Sequence, residues 1–268
     1  MQQKGYVHGY SQHETLRLAD QANTLSEMLH HDTIYPAGAN VLEAGCGVGA
    51  QTIILATKSP HAEITSIDIS QQSLEQAKLL IKNAGLSNVT FLQADVFNLP
   101  FETESFDHIF VCFLLEHLRE PEKALLNLKG VLRSGGTITV IEGDHGSAYF
   151  YPDSKEAHLA IQCLIDLQAD AGGDSLIGRR LYPLLTECGF RNITVTPRAV
   201  YADASRPEII EGFTRNTFTA MVEGVEKQAF DAKMLDKQTW EKGIKDLYRT
   251  AEDDGTFNYT FFKAVGVK

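Results

Sequence analysis

Three glycines at alternate positions, Gly45, Gly47 and Gly49, stand between the apolar pair Val41-Leu42 and the apolar run Ile53-Ile54-Leu55, with the acid Glu43 just ahead of them. This order predicts a short buried strand, a tight turn and the start of a helix. A backbone without Cβ atoms passes close to a ligand and takes angles that other residues resist, and the amides opening a helix aim hydrogen-bond donors into the same space. Gly45, Gly47 and Ala50 fit the dinucleotide pattern G-x-G-x-x-G/A, and Asp68 lies about 20 residues on, where a ribose-binding acid is expected. A nicotinamide-dependent oxidoreductase is therefore one chemistry open to this turn. Glu43 argues against it, because an acid beside the glycines would repel a diphosphate.

The elements that must position these residues follow from hydrophobic spacing. Residues 11–32 predict a helix with Ser11 as N-cap and Leu16, Ala19, Leu25, Met28 and Leu29 on one face; Pro36-Ala37-Gly38 ends it. From residue 40 strand and helix patterns alternate, the signature of a parallel sheet covered on both faces. Strands are expected at 40–44, 63–68, 88–93, 106–113 and 137–141. The second helix begins at the N-cap Ser70, carries Leu74, Ala77 and Ile81 on one face and ends at Gly85. The next has Pro121 in its first turn and Leu125, Leu128 and Leu132 as its buried stripe. Beyond Gly143 the regularity changes: helices at 152–171 and 176–188, a strand at 191–201, helical structure over 206–252 and a last strand at 258–267. The aromatic and methionine residues of 206–252, among them Phe213, Phe218, Met221, Phe230 and Trp240, read mainly as helical core.

The bulk composition narrows the partners. With 35 acids against 24 lysines and arginines the formal net charge is −11, and no basic run stands out, which argues against a nucleic-acid backbone as partner. Cys46, Cys112, Cys163 and Cys188 are scattered without C-x-x-C spacing, so neither a disulfide framework nor a zinc site is expected and a reducing compartment fits. No apolar run is long enough for a signal-peptide core or a membrane span. The expectation is a soluble cytoplasmic protein, monomeric or homodimeric, with no metal.

The run Glu43-Ala44-Gly45-Cys46-Gly47-Val48-Gly49 resembles the first motif of class I S-adenosylmethionine-dependent methyltransferases, of the small-molecule type that includes the ubiquinone and menaquinone C-methyltransferases. Such a turn faces a zwitterionic amino-acid tail, beside which Glu43 is tolerated, and the resemblance implies that Glu43, Gly45 and Gly47 help to bind the cofactor. The resemblance covers residues 40–143 in ordered motifs. It implies a doubly wound, mostly parallel seven-stranded α/β sheet of Rossmann-like topology with helical lid insertions, and S-adenosyl-L-methionine as cofactor. Asp68 would bind both ribose hydroxyls, since a carboxylate accepts two hydrogen bonds, and Ile69 would lie on the adenine face. Gln93-Ala94-Asp95-Val96 looks like the family's adenine clamp, with Asp95 accepting from the exocyclic amine and the Val96 amide donating to a ring nitrogen. The stretch from Phe106-Asp107 to His117-Leu118 looks like the fourth motif, with the backbone near Cys112 accepting from the methionyl amine. Arg133-Ser134-Gly135-Gly136 is similar to the glycine-pair turn before strand five, where the family more often has lysine-proline. Tyr6-Val7-His8-Gly9-Tyr10, with Glu14, Arg17 and Leu18, looks like the arm that folds over the cofactor; Arg17 would pair with the methionyl carboxylate and Tyr6 or Tyr10 would cover the sulfonium region.

Methyl transfer from a sulfonium is an in-line displacement, so alignment carries most of the catalysis and a base is needed only where the acceptor must lose a proton. The candidates are His117 after strand four, and Asp144 and His145 in the loop after strand five; Glu116 is expected to cap the short helix that follows it. Tyr151-Pro152-Asp153-Ser154-Lys155 fits the Y-x-x-x-K pair of short-chain dehydrogenases, but Pro152 keeps Tyr151 outside the helix. The expected division is an N-terminal arm over 1–36, a cofactor-binding core over 37–146, and a remainder, 147–268, that completes the sheet with lid insertions at 147–175 and 206–252. A small organic molecule is the expected methyl acceptor; a non-catalytic protein that keeps the cofactor as a regulatory ligand is the remaining alternative.

Overall fold

In β1 (Asn40–Ala44) both Val41 and Leu42 are wholly buried. Successive side chains on a strand point to opposite faces, so this strand is covered on both sides, as the centre of a parallel sheet must be. The computed structural model describes residues 24–268, of which 24–30 are helical. The rest of the expected arm, including Tyr6, Tyr10 and Arg17, lies outside the described residues.

After β1 come α1 (Thr52–Lys58), β2 (Glu63–Asp68), α2 (Gln71–Asn83), β3 (Val89–Gln93), β4 (Phe106–Cys112), α3 (Pro121–Val131) and β5 (Leu132–Tyr151), then α4 (Lys155–Ala171), α5 (Leu181–Glu187), β6 (Arg191–Ala202) and β7 (Thr256–Val267). The seven strands form one sheet in the order β3-β2-β1-β4-β5-β7-β6. The first five pair in parallel. β7 runs the other way beside β5, since Gly135 and Gly136 near the start of β5 bond Lys268, whereas Ser147 near its end bonds Thr260. The order reverses between β1 and β4, and in open α/β sheets ligands bind at that point, beyond the carboxyl ends of the strands.

Local chemistry fixes several element ends. Ser70 accepts from the Ser73 amide to start α2, and Gly85, at φ 69°, follows its C-cap. Pro121 opens α3, where its missing N–H costs nothing. Leu125, Leu128 and Leu132 are all fully buried and join Leu42, Ile109, Ile138 and Val140 in one apolar core.

Two compact units divide the chain. One gathers Ser26–Glu142, Ile177–Pro197 and Phe262–Lys268; the other includes Gly143–Leu176 and Arg198–Phe261. In the second, Phe213, Phe218, Phe257 and Tyr259 make an aromatic core with ring centroids 4.9–6.4 Å apart. Gly243 lets the helix Lys237–Arg249 approach α4 closely, because a Cβ there would meet the Glu156 carbonyl at 2.4 Å. The helical stretch expected over 206–252 is broken into short pieces and includes a π-helical segment, Ile210–Thr219, in which Thr217 Oγ1 donates to the Gly212 carbonyl.

Strand five departs most from expectation. It begins at Leu132 and continues to Tyr151 rather than spanning 137–141. Its pairing with β4 jumps from Phe106↔Leu132 to His108↔Thr137, so residues 133–136, with the expected glycine-pair turn, bulge out within the strand. At the far end, Tyr151 is the last strand residue and Lys155 the first of α4, so the two do not share a helix.

Candidate functional site

The glycine turn is built as its spacing predicts. Gly45, Gly47 and Gly49 have φ of 75°, 51° and 87°, the left-handed region that favours glycine. The amides of Gly45 and Cys46 both bond the Ile67 carbonyl at the end of β2, at 2.8 and 3.0 Å. The three glycines then differ. A Cβ on Gly45 would meet the Leu114 side chain at 2.8 Å, and one on Gly49 would meet Ala77 of α2 at 2.9 Å. Among the described residues, a Cβ on Gly47 would meet nothing within 4 Å. Gly45 and Gly49 are therefore required by packing, whereas no described residue crowds the backbone at Gly47.

Asp68 ends β2 beside this turn. Its Oδ2 accepts from the Gly47 amide and its Oδ1 from the Ser70 amide, both at 2.8 Å. The two bonds fix the carboxylate, and each oxygen keeps a further lone pair. Ile69, next in the chain, is 49% exposed. Glu43 does a different job from the one its position suggests. It is 2% exposed, and its Oε2 accepts from Thr52 Oγ1 of α1 at 2.7 Å and from Ser66 Oγ of β2 at 2.6 Å. It clamps the elements on either side of the turn, and burial pushes its carboxyl up to about 7.

The clamp segment follows β3. The Ala94 amide bonds the Asp68 carbonyl at 3.1 Å, Asp95 Oδ1 accepts from the Phe97 amide at 2.9 Å, and Val96 is buried against the apolar core. Asp95 thus shapes its own turn. Cys112 ends β4 as a buried thiol. After it Phe113 has φ 55°, a conformation that costs a bulky residue roughly 1–3 kcal/mol. His117 closes a 3₁₀ turn, Leu115–His117, with Nε2 3.4 Å from Glu116 Oε1.

Three expectations need correction. Asp144 and His145 are not in a loop; they lie inside β5, at 3% and 5% exposure. The apolar run that marks the strand stops at Ile141, but backbone pairing continues through polar residues because β7 lies alongside. Asp144 Oδ1 accepts from the Gly146 amide, and His145 Nδ1 is 2.8 Å from Tyr259 Oη. Nor does Glu116 cap the following helix: it sits inside the 3₁₀ turn, and the N-cap of α3 is Glu120, which makes no side-chain cap bond.

Sequence reasoning missed Glu142. This β5 residue is fully buried, and its Oε1 accepts from the amides of Leu114 and Leu115 at 3.1 and 2.7 Å. Burial and nearby Glu116 push its carboxyl well above the usual range. An acid directly after the strand residues Ile138-Thr139-Val140-Ile141 was the only signal available. Also unforeseen is His30 Nε2, 2.7 Å from Gln51 Oε1, which ties residues before β1 to the end of the glycine turn.

The model of the family described as "methyltransferase domain" matches residues 36–187. An uncharacterized 37.1 kDa protein in transposon TN4556 of Streptomyces fradiae is 33% identical over 190 residues, 70% of this chain and 54% of that one. Demethylmenaquinone methyltransferase of Staphylococcus aureus is 36% identical over 106 residues, 39% of this chain and 43% of that one. The chain spans about half the length of the curated relatives it matches. Among solved structures, Haemonchus contortus phosphoethanolamine N-methyltransferase 2, in complex with phosphomonomethylethanolamine and S-adenosylhomocysteine, shares the fold at TM-score 0.57 and 18% identity, over 92% of this chain and 52% of that one.

Proposed function

The chain belongs to the methyltransferase domain family, and from that premise we propose that it transfers a methyl group from S-adenosylmethionine to a small organic molecule. The observation that carries this reading is the pairing of the Gly47 backbone, which no described residue crowds, with the fixed carboxylate of Asp68 and the exposed Ile69. These residues fit an adenosyl ligand: Asp68 would hold the ribose hydroxyls, Ile69 would cover an adenine face, and Ala94, Asp95 and Val96 would border the base. Gly45, Gly47 and the carbonyl of Cys112 would receive the amino-acid end, with Glu43 bracing the turn from beneath. Tyr6, Tyr10 and Arg17 are proposed to cover that end from the arm.

When bound, the cofactor supplies a methyl group on a sulfonium, already activated for displacement. The protein's task is then to orient an acceptor and keep water out, and alignment of this kind is worth several kcal/mol. Where the acceptor must lose a proton, His117, or His145 with its hydroxyl partner Tyr259 and neighbour Asp144, is proposed to hold it. Segments 147–175 and 206–252 are proposed to carry acceptor specificity. Small-molecule chemistry is favoured by two names among the similar proteins, a demethylmenaquinone methyltransferase and an enzyme solved with phosphomonomethylethanolamine, and by the formal charge of −11.

Calorimetric titration with S-adenosylmethionine, S-adenosylhomocysteine, NAD and NADP tests the reading. Micromolar binding of the two sulfur ligands alone is expected. Tight binding of a nicotinamide nucleotide with no response to either sulfur ligand would overturn it.

A further inference from the structure

We propose that Glu142 is a positioning residue for the methyl-donor site, holding the turn after β4 in its working shape through the amides of Leu114 and Leu115. The inference rests on the reading of that site given above.

Three consecutive amides of this turn are bound by two consecutive residues of β5. Phe113 N donates to the Ile141 carbonyl at 2.9 Å, and Leu114 N and Leu115 N donate to Glu142 Oε1 at 3.1 and 2.7 Å. Between them Phe113 is held at φ 55°, where an aromatic residue does not settle by itself. Strain of this kind persists only where the surroundings over-determine it, and it gathers at functional sites. The consequence reaches the glycine turn directly. The Leu114 side chain is the group that a Cβ on Gly45 would strike at 2.8 Å. Glu142 thus fixes Leu114, Leu114 packs on Gly45, and the path of 112–115 sets where the Cys112 carbonyl lies.

A purely structural role explains Glu142 poorly. Burying a carboxyl is costly unless it is fully hydrogen-bonded, yet among the described residues its buried Oε2 has no hydrogen-bond partner. A leucine of similar size would fill the same space without burying a carboxyl. What leucine would lack is the acceptor for two amides. Burial pushes the Glu142 carboxyl well above the usual range, and glutamine keeps an oxygen that can accept from both amides.

The test compares wild type, Glu142→Gln and Glu142→Leu by calorimetry with S-adenosylhomocysteine, by thermal unfolding, and by hydrogen exchange at the Leu114 and Leu115 amides. Glu142→Gln is expected to bind within about threefold of wild type. Glu142→Leu is expected to fold, bind at least tenfold more weakly and lose protection at both amides. A merely structural role predicts that the leucine variant loses stability but keeps its affinity. That result, a tenfold loss in the glutamine variant, or failure of the leucine variant to fold while the glutamine variant folds, would overturn the inference. If wild type binds no sulfur ligand, the methyl-donor reading fails. The two amides then decide by themselves whether Glu142 holds the turn, and unchanged protection in Glu142→Leu refutes it.

Discussion

Replacing Glu43 by glutamine should change how stability depends on pH, and the size of the change follows from its surroundings. The carboxyl is 2% exposed and accepts two hydroxyl hydrogen bonds. Those bonds favour the charged form, but burial outweighs them and the pKa rises from the ordinary 4.5 to about 7. In the unfolded chain the group loses its proton near 4.5, so between 4.5 and about 7 the folded state holds a proton that the unfolded state has released. The sign follows from linkage: the contribution is fully present below the unfolded value and is lost as pH climbs through the folded one. At about 1.4 kcal/mol per pH unit, the loss across that window is about 3 kcal/mol. Glutamine keeps a carbonyl acceptor for Thr52 and Ser66 and does not titrate. Urea unfolding of both proteins from about pH 4.5 to about pH 8 reads the difference directly, since other titrating groups, Glu142 included, cancel between them. The variant should gain about 3 kcal/mol on wild type over that range, most of it by about pH 7. A difference flat to within about 0.5 kcal/mol, or one that grows in favour of wild type as pH rises, would refute the reasoning.

Other perturbations test the packing. Gly49→Ala puts a methyl group 2.9 Å from the Ala77 Cβ at φ 87°, so left-handed strain and overpacking together should cost about 2–4 kcal/mol in urea unfolding; a cost below about 0.5 kcal/mol would mean the turn and α2 are not locked together. Ser154→Ala removes the acceptor for the Ala157 amide at the start of α4 and the partner of Asp246 Oδ2, and should lower stability by about 1 kcal/mol. Unchanged stability would show that α4 is held by its apolar face alone.

What could be read in the sequence was what local spacing encodes. The glycine turn, the Ser70 cap, Gly85 after α2 and Pro121 at the start of α3 each follow from backbone preferences over a few residues, and all stand where expected. The parallel pairing of the first five strands agrees with the same alternation of strand and helix. Strand five was harder, because Asp144-His145-Gly146-Ser147 has the composition of a loop. It is strand because β7 runs alongside, which no local period announces. The side-chain partners of the site are equally distant: Tyr259 lies 114 residues from His145, and Leu115 lies 27 from Glu142. Asp68 was legible as an acid ending strand two about 20 residues after the glycines, whereas the Gly47 and Ser70 amides that hold it depend on the folded turn. Glu43 shows the limit most clearly. Its place before the glycines suggested contact with a ligand, and its burial makes it a brace between α1 and β2.

The central claim is that the glycine turn and Asp68 bind the nucleoside of a sulfonium methyl donor. Calorimetric titration of S-adenosylhomocysteine into wild type and Asp68→Ala, with circular dichroism to confirm that the variant is folded, tests it most directly. The account predicts micromolar binding to wild type and at least a tenfold loss, about 1.4 kcal/mol or more, in the folded variant. Binding that is absent from wild type, or equal in the two proteins, would contradict it.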